Sequence, residues 1–258
     1  NFMSKHYKKY NKLYDSKYYN NLGSISYNAA RIVLRDLYQI YPYTSLVDFG
    51  CGSASWLKAA NEIIKKDKKL TGIDGDYSKN IHIFNDANFI YKNLEDEVNI
   101  EKHDLAISLE TAEHLSPGRA SSFVKDLCKA SDVILFSAAV DGHGGTNHLN
   151  ENNQSYWINH FKNNSYDPFI FLNRKKYWYH ESFKKCPYYI SGSFLYIKRD
   201  TYLYKRLDHL KVKDGELVDI IHPYILAWRK DENFGIKMNY RKFITSIKKF
   251  LKKKLNLK

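Results

Sequence analysis

Two short runs hold most of the side chains that could move a proton. ISLETAEHL (107–115) carries Glu110, Glu113 and His114. DGHGGTNHLNE (141–151) carries Asp141, His143, Asn147, His148, Asn150 and Glu151 among glycines 142, 144 and 145. A histidine titrates near neutrality, so it suits removal of a proton from a hydroxyl or an amine. His148 and His114 are the candidate bases, each with the plainer alternative of a histidine that only hydrogen-bonds its loop. Glu113 either orients His114 or caps a helix. Tyr156 and Trp157 follow the second run and either stack on a substrate ring or pack the domain.

A second constellation lies earlier, in VDFGCGSASW (47–56). An apolar strand ends in Asp48, then comes Gly50-Cys51-Gly52, then a helix begins. Glycines let a backbone turn sharply and approach a ligand closely. A dinucleotide fingerprint would want a third Gly or Ala where Ser55 stands, because it cradles a pyrophosphate. Asp48 would repel that pyrophosphate, whereas it can meet the amino group of a ligand with an amino acid moiety. TGIDGDY (71–77) ends a second strand with Asp74, placed to accept hydrogen bonds from ribose hydroxyls.

The elements needed to position these groups are legible. Short apolar strands are expected at SLVDFG (45–50), LTGID (70–74), NFIYKNL (88–94), HDLAISLE (103–110) and DVILFSAAV (132–140). Helices are expected at 26–40, 54–66 and 121–130. Ala29, Ile32, Val33 and Leu37 share one face of the first, and Tyr41-Pro42-Tyr43 stops it. FIFL (169–172) and SGSFLYIKR (191–199) read as a late pair of strands. Alternating strands and helices predict an α/β fold: a Rossmann-like, mostly parallel seven-stranded sheet with helices on both faces and a helical C-terminal extension. Ligands of such sheets sit beyond the carboxyl ends of the strands, where both constellations fall. The expected organisation is a basic arm over 1–22, a ligand-binding domain over 23–200 and an extension over 201–258.

Taken in order, these motifs resemble class I S-adenosylmethionine-dependent methyltransferases over roughly residues 24–200. VDFGCGSASW looks like the family's first motif, TGIDGDY like its second-strand acid motif, Asn93-Leu94 like the pair beside the adenine, and ISLETAEHL like its fourth-strand motif. Ala54 stands where many members have a third glycine, and Asn93 where many have Asp. The resemblance implies an enzyme that binds S-adenosylmethionine and releases S-adenosylhomocysteine. It places Asp48, Gly50, Cys51, Gly52, Trp56, Asp74, Gly75, Asp76, Asn93, Leu94, Leu109 and Glu110 around the cofactor. DVILFSAAVDGHGGTNHLNENNQSYW (132–157) looks like small standalone methyltransferases of bacterial surface-glycan and secondary-metabolite gene clusters. That likeness implies a small polar acceptor, a sugar hydroxyl or amine of a glycan precursor, with His148, His114 and Glu113 doing the catalytic work and no metal. The alternative comes from a second likeness. Glu110-x-x-Glu113-His114 with the distant His148 looks like the metal site of small-RNA 2′-O-methyltransferases, where a divalent ion would bind acceptor hydroxyls.

Charge argues against the RNA alternative. The chain has 258 residues and a net charge of +13, but the basic residues gather at its ends. Residues 1–20 hold five Lys against one Asp, and residues 241–258 hold seven Lys and one Arg with no acid. The body between them is close to neutral, whereas nucleic-acid enzymes wrap basic charge around the catalytic cleft. Residues 241–258 (RKFITSIKKFLKKKLNLK) read as a basic amphipathic helix that either lies on anionic membrane or docks on the core. The three cysteines, Cys51, Cys128 and Cys186, have no metal-binding or disulfide spacing. No signal peptide and no membrane-spanning run are expected. Together these features predict a cytoplasmic protein, peripheral to the inner face of the membrane where the tail lies on lipid rather than on the core.

Overall fold

Apolar residues run almost without a break along the central strands, which must therefore be covered on both faces. The computed structural model describes residues 16–230, with side chains over 23–227. Seven strands form one sheet: β1 (Ser45–Phe49), β2 (Lys69–Asp74), β3 (Asn88–Tyr91), β4 (Leu105–Leu109), β5 (Val133–Ser137), β6 (Tyr166–Phe169) and β7 (Phe194–Lys198). Their order is β3-β2-β1-β4-β5-β7-β6. The first five run parallel, and β7 enters antiparallel between β5 and β6. Helices α1 (Ser16–Ile40), α2 (Ser55–Ile63), α3 (Ala120–Ala130) and α4 (Gln154–Lys162) cover it. Shorter helices follow: α5 (Arg174–Tyr177), α6 (Tyr188–Ser191), α7 (Tyr202–Arg206) and α8 (Pro223–Lys230).

The two faces separate by strand parity. Val133 and Leu135 of β5 join Leu46, Leu105 and Ile107 in the core under α1 and α2. Ile134 and Phe136 join Val47, Phe49 and Ala106 in the core under α3 and α4, with Phe123, Trp157 and Phe161. Phe161 stacks on Tyr196 of β7 at 3.7 Å between ring centroids. Burying one such aromatic ring contributes about 1.5–3 kcal/mol. Trp157 is buried against Phe136, so of its two expected roles the packing one is met.

Three expected boundaries move. The first helix begins at Ser16 rather than 26, inside the stretch expected as a loose arm. Gly23 sits within it, and a Cβ there would lie 3.1 Å from Ser53 Oγ. The helix tolerates glycine because it packs closely on the glycine-rich turn after β1. The sixth strand is Tyr166–Phe169, not 169–172. Its Asp167 and Pro168 are poor strand formers, but an edge strand tolerates proline. Asp167 is tied down by Arg199 at 2.9 Å and by the Tyr204 hydroxyl at 2.6 Å. Tyr166 donates to the Ser131 carbonyl at 2.8 Å. In the extension, the described part after 201 is helical only in pieces. Residues 211–222 include a bridge from Lys211 to Phe169 and an Asp219 carboxylate that accepts from Ser155. The basic segment 241–258 lies outside the described residues. Among the described residues no helix is long and apolar enough to cross a membrane.

Candidate active site

The turn after β1 is built by the backbone. Gly50 takes φ 87° and Gly52 φ 48°. The Gly50 and Cys51 N–H groups both donate to the Ile73 carbonyl, at 2.8 and 3.2 Å, which locks the turn onto the end of β2. Glycine is required at 50 twice over: its φ is left-handed, and a Cβ would lie 2.3 Å from Thr111 Oγ1. Ala54 also adopts a left-handed conformation, φ 60°. That accounts for the glycine many methyltransferases carry there, and it costs an alanine about 1 kcal/mol.

Two aspartates lie under this turn, in opposite states. Asp74 is saturated. Its Oδ2 accepts from the Gly52 N–H at 2.7 Å, and its Oδ1 accepts from the Gly75 N–H at 2.7 Å and from the Tyr77 hydroxyl. Burial raises its pKa, and those three donors hold it down. Asp48 is 3% exposed and its Oδ2 has no hydrogen-bond partner among the described residues. Burial, and then the charge of Asp74, push its pKa well up. A buried carboxyl without a partner is costly, and a cation bound here would relieve it.

The other expected cofactor residues are spread around that pair. Cys51 is buried, and burial followed by Asp74 and Asp48 raises its thiol pKa. Trp56 is 5% exposed and lies edge-on to Tyr189 at 5.2 Å, so it shapes the site from within the core. Asp76 points outward and pairs with Lys79 at 2.8 Å. The Asn93 side chain accepts from the Glu95 N–H at 3.1 Å, and Leu94 is buried. Their loop is anchored by Arg119, which donates to the Leu94 carbonyl and the Asp96 carbonyl, each at 2.9 Å, and pairs with buried Asp126. Breaking a buried pair of this kind costs about 3–5 kcal/mol. Leu109 ends β4, buried.

Glu110 follows at φ 55°, a left-handed turn that swings its side chain across to β5. There Glu110 Oε1 accepts from Ser137 Oγ at 2.7 Å. Burial pushes its pKa up to about 7, against the Ser137 hydrogen bond. Glu113 is 1% exposed, with Oε2 unpartnered among the described residues. Its pKa is driven well up by burial and then by Glu110. Its backbone carbonyl accepts from the Leu149 and Asn150 N–H groups at 2.8 and 3.0 Å, which brings the glycine-rich loop over the site.

That loop delivers His148 to His114, their rings edge-to-face at 4.8 Å. Glu113, read from the sequence either as orienting His114 or as capping a helix, makes no hydrogen bond to the His114 ring among the described residues. Glu151 takes the orienting role instead: its Oε1 meets His148 Nδ1 at 2.6 Å and also accepts from the Gly144 N–H at 2.7 Å. The pairing leaves His148 Nε2 to act. A Cβ on residue 145 would lie 2.2 Å from that Nε2, so Gly145 makes room for the ring. His114 is held neutral, its pKa lowered to about 4 by burial and then by His148, against a hydrogen bond to the Asn147 backbone.

Glu113, His114 and His148 each offer a ligand atom within 4.8 Å of the others. Such a carboxylate–imidazole set fits a divalent ion. Glu110, the fourth member of the expected metal set, turns instead to Ser137. Glu151 is named in the sequence as part of this loop, but not as the partner of His148; Ser137 and Tyr77 are not singled out, although Tyr77 stands three residues from Asp74 as Glu151 does from His148.

No protein-family model matches this chain, and no curated protein does. Solved structures do. An O-methyltransferase family protein from Burkholderia thailandensis aligns over 71% of this chain and 60% of its own, at 10% identity and a TM-score of 0.51. Human N-acetylserotonin methyltransferase, in complex with S-adenosylmethionine, aligns over 71% and 56% at 13% identity and a TM-score of 0.47. Magnesium protoporphyrin IX methyltransferase from Synechocystis, with bound S-adenosylhomocysteine, aligns over 69% and 84% at 15% identity and a TM-score of 0.46. The chain spans less than two thirds of the length of the first two. At these identities the likeness is one of fold, carried by the Burkholderia protein, and the Rossmann-like fold expected from the motifs is the one observed.

Proposed function

We propose that this chain transfers a methyl group from S-adenosylmethionine to a small polar acceptor, a sugar hydroxyl or amine of a surface-glycan precursor. The observation that carries the reading is Asp48: a buried carboxyl with a free oxygen, under a glycine turn, at the carboxyl end of a parallel strand. Such a group repels a pyrophosphate and receives an ammonium, and S-adenosylmethionine has an ammonium where a dinucleotide has phosphates. Asp74 would meet the ribose, with Tyr77 giving up its bond to make way.

Methyl transfer is an in-line displacement. The acceptor oxygen or nitrogen forms a bond to the methyl carbon as the carbon–sulfur bond breaks, and the acceptor's proton leaves. His148 Nε2 is the base that takes this proton, with Glu151 holding the tautomer and stabilising the imidazolium. His114, kept neutral, faces it and hydrogen-bonds the acceptor. The donor is already activated, so positioning supplies much of the rate.

Thermal unfolding with S-adenosylmethionine, S-adenosylhomocysteine or NAD tests the cofactor. A ligand at about 100 times its dissociation constant stabilises by about 2.7 kcal/mol, a rise of about 5–10 °C at this size. A rise with the two adenosyl compounds and none with NAD is expected; a rise with NAD alone would replace this reading with an oxidoreductase.

One observation favours a second reading, the metal-dependent one: the Glu113, His114 and His148 ligand atoms converge. A divalent ion there would be held by those three side chains and would polarise an acceptor hydroxyl. Chelation separates the two. Activity within twofold of the untreated enzyme is expected, and a loss restored by added Mg²⁺ or Mn²⁺ would favour the metal.

A further inference from the structure

Among the described residues, three neighbouring side chains carry buried polar atoms that have no hydrogen-bond partner, and none belongs to the site described so far. Arg174, at the start of α5, has Nε and Nη1 shut off from solvent and without hydrogen-bond partners among the described residues. Its Nη2 donates to the Ser193 carbonyl at a long 3.3 Å, and its guanidinium lies over the Phe194 ring at 4.8 Å. No carboxylate is within ion-pair distance of it among the described residues; Glu216 acts on it only from farther away. Burial lowers its pKa to about 10, so it stays charged at neutral pH. Gln154, the first residue of α4, is 4% exposed, and neither its Oε1 nor its Nε2 is bonded. Trp157, one turn further along α4, has an unpaired Nε1.

These groups meet over one patch of the sheet. Phe194 of β7 pairs in register with Phe136 of β5. Arg174 covers Phe194, and Trp157 covers Phe136 at 5.1 Å. A Cβ on Gly192 would lie 3.7 Å from Gln154 Nε2 and 3.9 Å from the Ser137 Cβ. Ser137 in turn holds Glu110. The patch is therefore continuous with the carboxyl ends of β4 and β5.

A charged guanidinium with two donors, Nε and Nη1, shut off from solvent and unbonded is unfavourable unless an anion completes it. We infer that Arg174 binds a carboxylate of the acceptor, while Gln154 hydrogen-bonds the neighbouring hydroxyl, so the substrate class is a carboxylated sugar. This rests on the methyltransferase reading. A planar carboxylate matches one guanidinium fork. A dianionic phosphoryl group would ask for more donors than one arginine and would face Glu216 as well.

The test uses the full chain with and without saturating S-adenosylhomocysteine. Glucuronate and galacturonate are compared with glucuronamide and galacturonamide, with binding followed by thermal shift and saturation-transfer NMR. The expected result is binding of the uronates at least tenfold tighter than the amides. Arg174→Met should abolish that preference and leave the S-adenosylhomocysteine shift intact. Without ligand, Arg174→Met should unfold at the same or a higher temperature than the parent, because an uncompensated charge has gone. Arg174→Lys, which keeps the charge without the fork, should lose the preference by about tenfold, and it decides the matter if the Met variant does not fold. Equal binding of uronate and amide, no binding of either, a preference that survives in both variants, or an Arg174→Met that folds but melts below the parent would overturn the inference. An absent S-adenosylhomocysteine shift in the parent protein would instead count against the methyltransferase reading, and the uronate–amide contrast without cofactor would still report on Arg174.

Discussion

The two halves of the site are held together in different ways. The half proposed to hold the cofactor is a backbone structure: a glycine turn fastened to the Ile73 carbonyl, with Asp74 clamping the turn through the Gly52 and Gly75 amides. The half proposed to hold the acceptor is a side-chain structure. Glu110 reaches Ser137, Glu151 holds His148, and the glycine-rich loop hangs on the backbone of Glu113. A backbone site survives most substitutions so long as its glycines stay, and so keeps one ligand. A side-chain site changes with each residue, and can be retuned for new acceptors over an unchanged cofactor platform.

Substitutions that touch one half alone should break this division most visibly. His148→Ala should lower kcat by about 10²–10⁴-fold, the usual contribution of a positioned base, while S-adenosylhomocysteine binds within twofold of the parent protein by calorimetry. Glu151→Gln should follow in the same direction at about tenfold, as the ring loses its orientation. Asp48→Asn should do the reverse. Removing one partner of a buried charge pair costs about 3–5 kcal/mol, so S-adenosylmethionine affinity should fall at least 100-fold, with His148 chemistry intact in whatever complex still forms. A loss of cofactor binding in His148→Ala would merge the halves and defeat the comparison.

Smaller effects sharpen it. Burial raises the Glu110 carboxyl to about 7 in the folded chain, against an ordinary value near 4.5. The folded state therefore holds this proton more tightly than the unfolded one. The stabilisation is complete below about pH 4.5 and is lost as pH rises through about 7. Glu110→Gln should flatten that part of the stability curve of the cofactor-free protein, measured by denaturant unfolding between pH 5 and 8. His114 acts with the opposite sign. With its pKa held near 4, its stabilisation is full above about 6.5 and lost as pH falls toward 4. The smallest change is expected at Ala54, whose left-handed φ costs it strain. Ala54→Gly should raise stability by about 0.5–1 kcal/mol without altering turnover.

The same division decides what could be read from the sequence. The turn after β1 is contiguous, so Asp48 and the glycines announce themselves within one strand–turn–helix stretch, and Asp74 ends the very next strand. The parallel strands also stand out, because each is a short apolar run bounded by polar residues. The sixth strand was misplaced, since Asp167 and Pro168 are stabilised there by Arg199, Tyr204 and an edge position, none of which is local. The partners of Glu110 and Arg174 come from other segments of the chain, Ser137 for the one and Ser193 and Phe194 for the other, and nothing in their neighbourhoods signals those meetings. His148 with Glu151 is the intermediate case: both stand in one loop, and only the fold tells which acid serves which histidine.

The reversed strand has a practical corollary. Because β7 runs antiparallel between β5 and β6, the chain leaves β6 and re-enters β7 at the same end of the sheet, the end that meets ligands. Residues 170–193, which carry Arg174, Tyr188 and Tyr189, form a cassette with both attachment points on one rim. Such a cassette can be exchanged without rethreading a strand, but not independently of the glycine turn, because its Tyr189 packs edge-on to Trp56 just past that turn.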